Sequence, residues 1–234
     1  MLNSLRPSER LLAAVTSNDE AGLLEAIADG ADVNFRRTKN TPILLALDRG
    51  NKECAKILLE HGADINLDNG FGWLPVHEVC RHGWEDWIES IIQNPMASTD
   101  RRDRDGASPL LIALINGHEG VASRLVANGS NVNAQNEQGV SPLMLAIERQ
   151  SPVLVEQMMR RRGDASLADS TGRSGFDRAE NWSEGLSILG APSAKAAVSS
   201  SPQADDAISV QEDAPAAQEA ETGVSGIQKR RRPN

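Results

Sequence analysis

Four prolines, Pro42, Pro75, Pro109 and Pro142, follow one another at intervals of 33, 34 and 33 residues. Each stands in a similar phrase: NTPILLAL from Asn40, WLPVHEVC from Trp73, ASPLLIAL from Ala107 and VSPLMLAI from Val140. A second phrase keeps the same beat, DGADVN from Asp29, HGADINL from His61 and NGSNVNA from Asn128, with a looser copy RGDASLA from Arg162. A fixed period of this length marks one supersecondary unit repeated along the chain. Such a unit buries its apolar face only against its neighbours, so the chain must fold as a stack rather than around a single centre.

The residues within the period explain its parts. Thr41, Ser108 and Ser141 are suited to cap a helix, and the proline that follows each sits at the first helical position, where its missing N–H costs nothing. Ala46, Ala113 and Ala146 are small where two paired helices would touch. A second helix then carries the apolar pairs Leu58-Leu59, Ile91-Ile92, Leu125-Val126 and Met158-Met159. Gly30, Gly62 and Gly129 end the second helices, where a positive φ is wanted. Asn34, Asn66 and Asn133 suit the turn into the next unit.

Period and phrases together resemble the ankyrin-repeat family, with its glycine turn, Thr-Pro-Leu-His, two helices and Gly-Ala-Asp-x-Asn, over residues 8–190. The resemblance implies an all-α solenoid of helix-turn-helix units with short β-hairpin loops, about five repeats and a partial C-terminal cap. Residues 8–34 give two helices without the Thr-Pro phrase and are expected to form the N-terminal cap. At the other end Ser174-Gly175-Phe176 takes the place of Thr-Pro-Leu, with Phe176 and Ala179 expected to be buried and Trp182 to cover the end of the stack.

No phosphate-binding loop, HExxH, GxSxG or CxxC motif occurs. Cys54 faces inward on a second helix, and Cys80 takes the place of a small residue of a first helix; both read as buried hydrophobes. His77, Cys80 and His82 form H-x-x-C-x-H, but on a helix Cys80 points inward and His82 outward, so they do not converge on a zinc ion. His77 fills the histidine place of the family phrase, which implies hydrogen bonds tying neighbouring repeats. A non-enzymatic protein is expected, with no catalytic residue, cofactor or metal.

The formal net charge of −9 argues against nucleic-acid binding by the repeats. No apolar run approaches the ~20 residues that span a bilayer, and the N-terminus does not read as a signal peptide. A cytoplasmic monomer is expected. Residues 191–234 are rich in Ala, Ser, Pro, Gln and acid and lack aromatics, the composition of a disordered tail. The tail ends with Lys229, Arg230, Arg231 and Arg232, which resemble a nuclear import signal, for a protein working in or delivered to a eukaryotic cell.

The chain has four Trp, three Phe and no Tyr, yet residues 70–87 hold Phe71, Trp73, Trp84 and Trp87. Trp87 aligns with Cys54, Val121 and Leu154 and is expected in the core. Phe71 and Trp73 flank Gly72 and align with Asp105 and Ala107, or Gln138 and Val140. The family binds partner proteins on the concave face of its hairpins and first helices, and these positions belong to it. The resemblance therefore implies a protein-binding adaptor or inhibitor with Phe71, Trp73, Arg81, His82 and Trp84 at the centre of its face. Ala107, Ile115, Val140, Glu148 and Arg149 extend it. The alternative is a regulatory effector or transcription-factor inhibitor sent to the nucleus by the tail. A rival role for Phe71 and Trp73 is local repair, because the third repeat is irregular, with Leu74 for the capping Thr and QNPMAST for Gly-Ala-Asp.

Overall fold

A computed structural model describes residues 6–36 and 39–190. The expected disordered tail and its cluster Lys229, Arg230, Arg231 and Arg232 lie outside the described residues. Within them the chain forms helix pairs: α1 (Pro7–Ser17) with α2 (Glu20–Ala28), α3 (Pro42–Asp48) with α4 (Lys52–Glu60), and α5 (Pro75–His82) with α6 (Glu85–Ile92). Then come α7 (Pro109–Ile115) with α8 (Glu119–Ala127), α9 (Pro142–Glu148) with α10 (Pro152–Arg160), and the short α11 (Gly175–Arg178) with α12 (Ser183–Ile188). The odd-numbered helices pack on one another in an inner layer, and the even-numbered helices form an outer layer.

The expected caps form. Thr41, Ser108 and Ser141 accept from the backbone N–H of Leu44, Leu111 and Met144 at 3.4, 3.2 and 3.3 Å. Leu74 has no side-chain acceptor, and its own N–H donates instead to His77 Nδ1 at 3.0 Å. Ala46, Ala113 and Ala146 are fully buried between the layers, as are Cys54 and Cys80. Cys80 stands in the column of Leu47, Leu114 and Ile147; the alanine column is occupied in this repeat by Val79. Burial raises both thiol pKa values, so neither cysteine is an activated nucleophile.

The hairpins are turns rather than strands: the described residues contain one isolated antiparallel bridge, Ala168 with Ser174. Four turns are closed by backbone bonds from Asn69 to Trp73, Asp103 to Ala107, Asn136 to Val140 and Asp169 to Arg173, at 3.1, 2.9, 3.1 and 3.0 Å. Successive turns are tied tip to tip, with Arg104 N–H donating to Phe71 C=O and Glu137 N–H to Asp105 C=O. Gly72 holds φ +75° at one tip, and a Cβ there would lie 2.9 Å from Arg102 O, so only glycine fits.

The turn asparagines do more than turn the chain. Asn34, Asn66 and Asn133 each donate from Nδ2 to a carbonyl of the next repeat (Gly62, Met96, Arg162). Each accepts through Oδ1 from an N–H two residues further on (Asp64, Ser98, Asp164). The amide is the side chain that donates and accepts at once. Between the third and fourth repeats Asp100 takes this role and only accepts, from Asn131 N–H at 3.1 Å.

At the C-terminal end Ser174 and Asp177 cap α11 reciprocally. Ala179 and Trp182 are buried as expected, but Phe176 is 38% exposed. The four-residue α11 is too short to present a second apolar face to α9.

The clamp predicts that Asn133→Ala lowers stability by about 1 kcal/mol, the net worth of an exposed pair of hydrogen bonds. Asn133→Asp, which keeps only the acceptor, should fall between Ala and the wild type. Urea unfolding midpoints check this, and an unchanged midpoint for both variants contradicts it.

Candidate partner-binding face

The concentration of aromatics around α5 is organised by a carboxylate. Glu78 is 7% exposed. It stands in a column held in the other repeats by Leu45, Ile112 and Leu145. Its Oε1 accepts from Trp73 Nε1 at 2.8 Å, and its Oε2 from Arg81 Nε at 2.7 Å. Arg81 reaches on to Asp48 of α3, Nη2 to Oδ1 at 3.0 Å. A buried carboxylate needs such partners, since an unpaired one is strongly disfavoured. Glu78 is absent from the residues the sequence singled out. Its signal was there, as the one charge among the full-length repeats of a column that is otherwise aliphatic until Arg178 in the C-terminal cap.

Trp73 is thus held by its own repeat. Its ring stacks on the imidazole of His77, centroids 5.1 Å apart, and packs on the core. One edge still faces out, so repair and exposure coexist in one side chain. His77 is fully buried, and burial pulls its pKa down to about 4, against weaker opposition from backbone groups of Ala107 and Arg101 in the next repeat.

At the other end of α5, His82 lies flat on Trp84, 4.5 Å between centroids with planes 10° apart, and Lys52 Nζ lies 4.6 Å from the Trp84 ring. Burial and then the Arg81 guanidinium lower the His82 pKa. Trp87 is not the core residue expected. It is half-buried and lines a groove of about 330 Å³ between α4 and α6, with Lys56 and Leu59. The indole is larger than Cys54, Val121 or Leu154 in the same column, and α4 and α6 pack less closely than the other neighbouring outer helices, with Lys52 Nζ reaching Asp86 Oδ1 at 3.8 Å across the groove.

The later repeats correct one further assignment. Ala107 is 5% exposed and belongs to the core, because its N–H is turned in to Asp103 Oδ1 and its methyl packs inward. Val140 is half-buried against the core. Ile115 is 51% exposed at the end of α7. Its carbonyl accepts from Arg149 Nη2 at 2.9 Å, as the Arg81 carbonyl accepts from His118 Nε2 at 3.0 Å. Glu148 pairs with Arg178 at 2.7 Å. Asp48, Arg81, Ile115 and Glu148 occupy equivalent positions in successive repeats. The row therefore reads as an ion pair, an exposed isoleucine and a second ion pair. Phe71, at its turn tip, is half-buried with Lys39 Nζ 3.6 Å and Arg104 Cζ 4.8 Å from its ring centroid.

Among the described residues no three His, Cys, Asp or Glu side chains converge as metal ligands, and no helix is long and apolar enough to cross a membrane.

Comparison with known proteins agrees with this architecture. The family model described as ankyrin repeats (3 copies) matches residues 11–103 and 86–169. Human neurogenic locus notch homolog protein 2 is 30% identical over 149 residues, 61% of this chain and 6% of that protein. Human neurogenic locus notch homolog protein 1 is 32% identical over 125 residues, 53% of this chain and 5% of that protein. The chain thus spans a small fraction of these relatives. A crystal structure of an ankyrin repeat protein superposes with a TM-score of 0.68 at 25% identity, covering 78% of this chain and 97% of that one.

Two outcomes follow from the α5 network. Trp73→Phe keeps the ring but strips a donor from buried Glu78, and should cost about 1–3 kcal/mol. Glu78→Leu leaves the Trp73 Nε1 and Arg81 Nε donors without their shared acceptor and should lower the melting temperature at least as much; thermal melts compare the two, and an unchanged melt for Glu78→Leu contradicts the account. His77 sets a pH window. Its folded pKa of about 4 lies below the ordinary 6.5, so the unfolded chain takes the proton first. Stability is complete above pH 6.5 and falls as pH drops towards 4, by on the order of 3 kcal/mol. The fall between pH 7 and 4.5 should be smaller in His77→Gln than in the wild type.

Proposed function

As the chain belongs to the ankyrin-repeat family, whose repeats are generally protein-binding modules, we propose that it is a non-enzymatic adaptor or inhibitor that holds one partner protein on its inner-helix face. The observation that carries this reading is Ile115. A large aliphatic side chain, half exposed, sits between the Arg81–Asp48 and Glu148–Arg178 ion pairs on the inner helices. An apolar centre within a charged rim is the anatomy of a protein interface. Arg81, Trp73 and His82 extend it on one side, and Arg149 on the other. The two ion pairs cross between repeats, so the charges around Ile115 are held in place before any partner arrives, which reduces the ordering cost of binding.

Ile115→Glu should leave the melting temperature within the small range of surface changes, ~0.5 kcal/mol, and weaken capture of the partner at least ~tenfold, or ~1.4 kcal/mol. Val153 is 63% exposed on outer helix α10, and Val153→Glu serves as the control. Capture from native extract with quantitative mass spectrometry identifies proteins retained by wild type and Val153→Glu but lost with Ile115→Glu. If the same proteins are lost with both variants, or with neither, the inner-helix face is not the binding surface.

A further inference from the structure

The turn tip that carries Phe71 has a character opposite to the chain as a whole. The net charge of the protein is −9, yet the exposed side chains around this tip include Arg36, Lys39, Arg101, Arg102 and Arg104. Most of them are already engaged. Arg36 and Arg101 share Asp68, at 4.0 and 2.7 Å. Arg102 donates to the carbonyls of Gly106 and Gln135. Asp103 spends its Oδ1 on the N–H groups of Asp105 and Ala107, inside its own turn.

Lys39 and Arg104 are different. Among the described residues neither has a carboxylate within ion-pair distance, and what each has is the Phe71 ring, 3.6 and 4.8 Å from the centroid. A ring face is a weaker partner for a cation than a carboxylate, worth about 0.5–1 kcal/mol at an exposed site. The two cations are therefore gathered at one place and left with unused donors. The tip itself is held: Phe71 N–H donates to Asn69 Oδ1 at 3.0 Å, and its carbonyl accepts from Arg104 N–H at 2.8 Å. Beside it lies a depression of about 240 Å³ lined by Asn69, Phe71, Trp73, Asp103, Arg104 and Asp105. Asp105 is the one acid there with neither an ion pair nor a turn to close. Counting the engaged groups as well, Arg36, Lys39, Arg101, Arg102 and Arg104 stand against the carboxylates of Asp68, Asp103 and Asp105, so the tip is net positive.

We propose that this turn tip is a docking site for an acidic segment of a protein partner, its carboxylates pairing with Lys39 and Arg104 over the Phe71 ring. The inference rests on the reading of the chain as a protein-binding module and names the chemistry of what it binds. Charge complementarity selects the occupant. Arg104 offers a planar fork that matches a carboxylate, Lys39 a mobile point charge, and Phe71 with Trp73 an apolar floor for the residue beside the acid. On a protein with a net charge of −9, a local positive site also favours approach of an acidic segment in this orientation over others.

The test uses the full chain and a fluorescein-labelled peptide of ten glutamates, by anisotropy titration at an ionic strength of about 0.15 M, where the screening length is near 8 Å. Wild type should bind the peptide, the double variant Lys39→Glu/Arg104→Glu should weaken it at least ~tenfold, and Phe71→Ala several-fold. The double variant Lys56→Glu/Arg160→Glu, with the same charge change on outer helices, should bind as wild type does, and so should Ile115→Glu. Circular dichroism confirms that the variants fold. No binding by wild type, or equal weakening in the outer-helix control, overturns the proposal, as does tighter binding of a ten-residue oligothymidylate, which would make the site a reader of phosphate. Peptide binding lost in Ile115→Glu but kept in Lys39→Glu/Arg104→Glu overturns this inference while leaving the inner-helix reading in place.

Discussion

No repeat in this chain can cover its own apolar face. Each inner helix is seven or eight residues long from α3 to α9, too short to be stable alone in water. Leu44, Leu111 and Leu143 on these helices are buried, and the inner helices of adjoining repeats pack on one another. Everything else depends on that mutual cover. The asparagine clamps hold successive turns in register, the proline and hydroxyl caps fix where each helix begins, and the side chains on the inner face inherit equivalent positions. A row such as Asp48, Arg81, Ile115 and Glu148 exists because the stack repeats the same backbone position.

Much of this was legible in the sequence because it recurs. Caps, alanine columns and helix-ending glycines show themselves by returning at the same offset, and the structure places them accordingly. What repetition could not convey lies where one repeat departs from the rest. Trp87 was assigned to the core by its column, but a column gives position and not volume. Ala107 was assigned to the surface because its neighbours in the column include Trp73, yet a methyl group fits where an indole does not. Phe176 followed the pattern of full-length helices that the last repeat lacks. The clamp was invisible because a one-letter code shows that asparagine recurs, not that its amide bonds to a loop some thirty residues away.

The candidate face shows the same division. Arg81, Ile115 and Arg149 were legible as ends of first helices. Glu78 was not, although it organises Trp73 and Arg81, because a buried charge reads as an anomaly until its two donors are seen. A carboxylate in an aliphatic column turns two flexible side chains into fixed ones, which reduces the ordering a partner must impose. The third repeat has thus exchanged apolar packing for a polar network at the centre of the inner face. Its irregularity and the assembly of a recognition surface have a common origin in that one residue.

The looser packing of α4 on α6 marks one joint of the stack as different from the others. Near the turns this joint is pinned by Asn66. At the opposite end, Asn51 and His118 each bond to a carbonyl of the preceding repeat, whereas Trp84 in the same column makes no such bond. That end is held instead by Lys52, whose Nζ lies 3.8 Å from Asp86 Oδ1 and 4.6 Å from the centre of the Trp84 ring. Exposed contacts of this kind contribute little stability. The inner helices α3 and α5 pack as the other inner neighbours do and are tied by Arg81 and Asp48, so the weakness is confined to the outer layer. In a stack stabilised by nearest-neighbour contacts, this seam therefore carries less of the coupling between the two N-terminal helix pairs and the rest of the array.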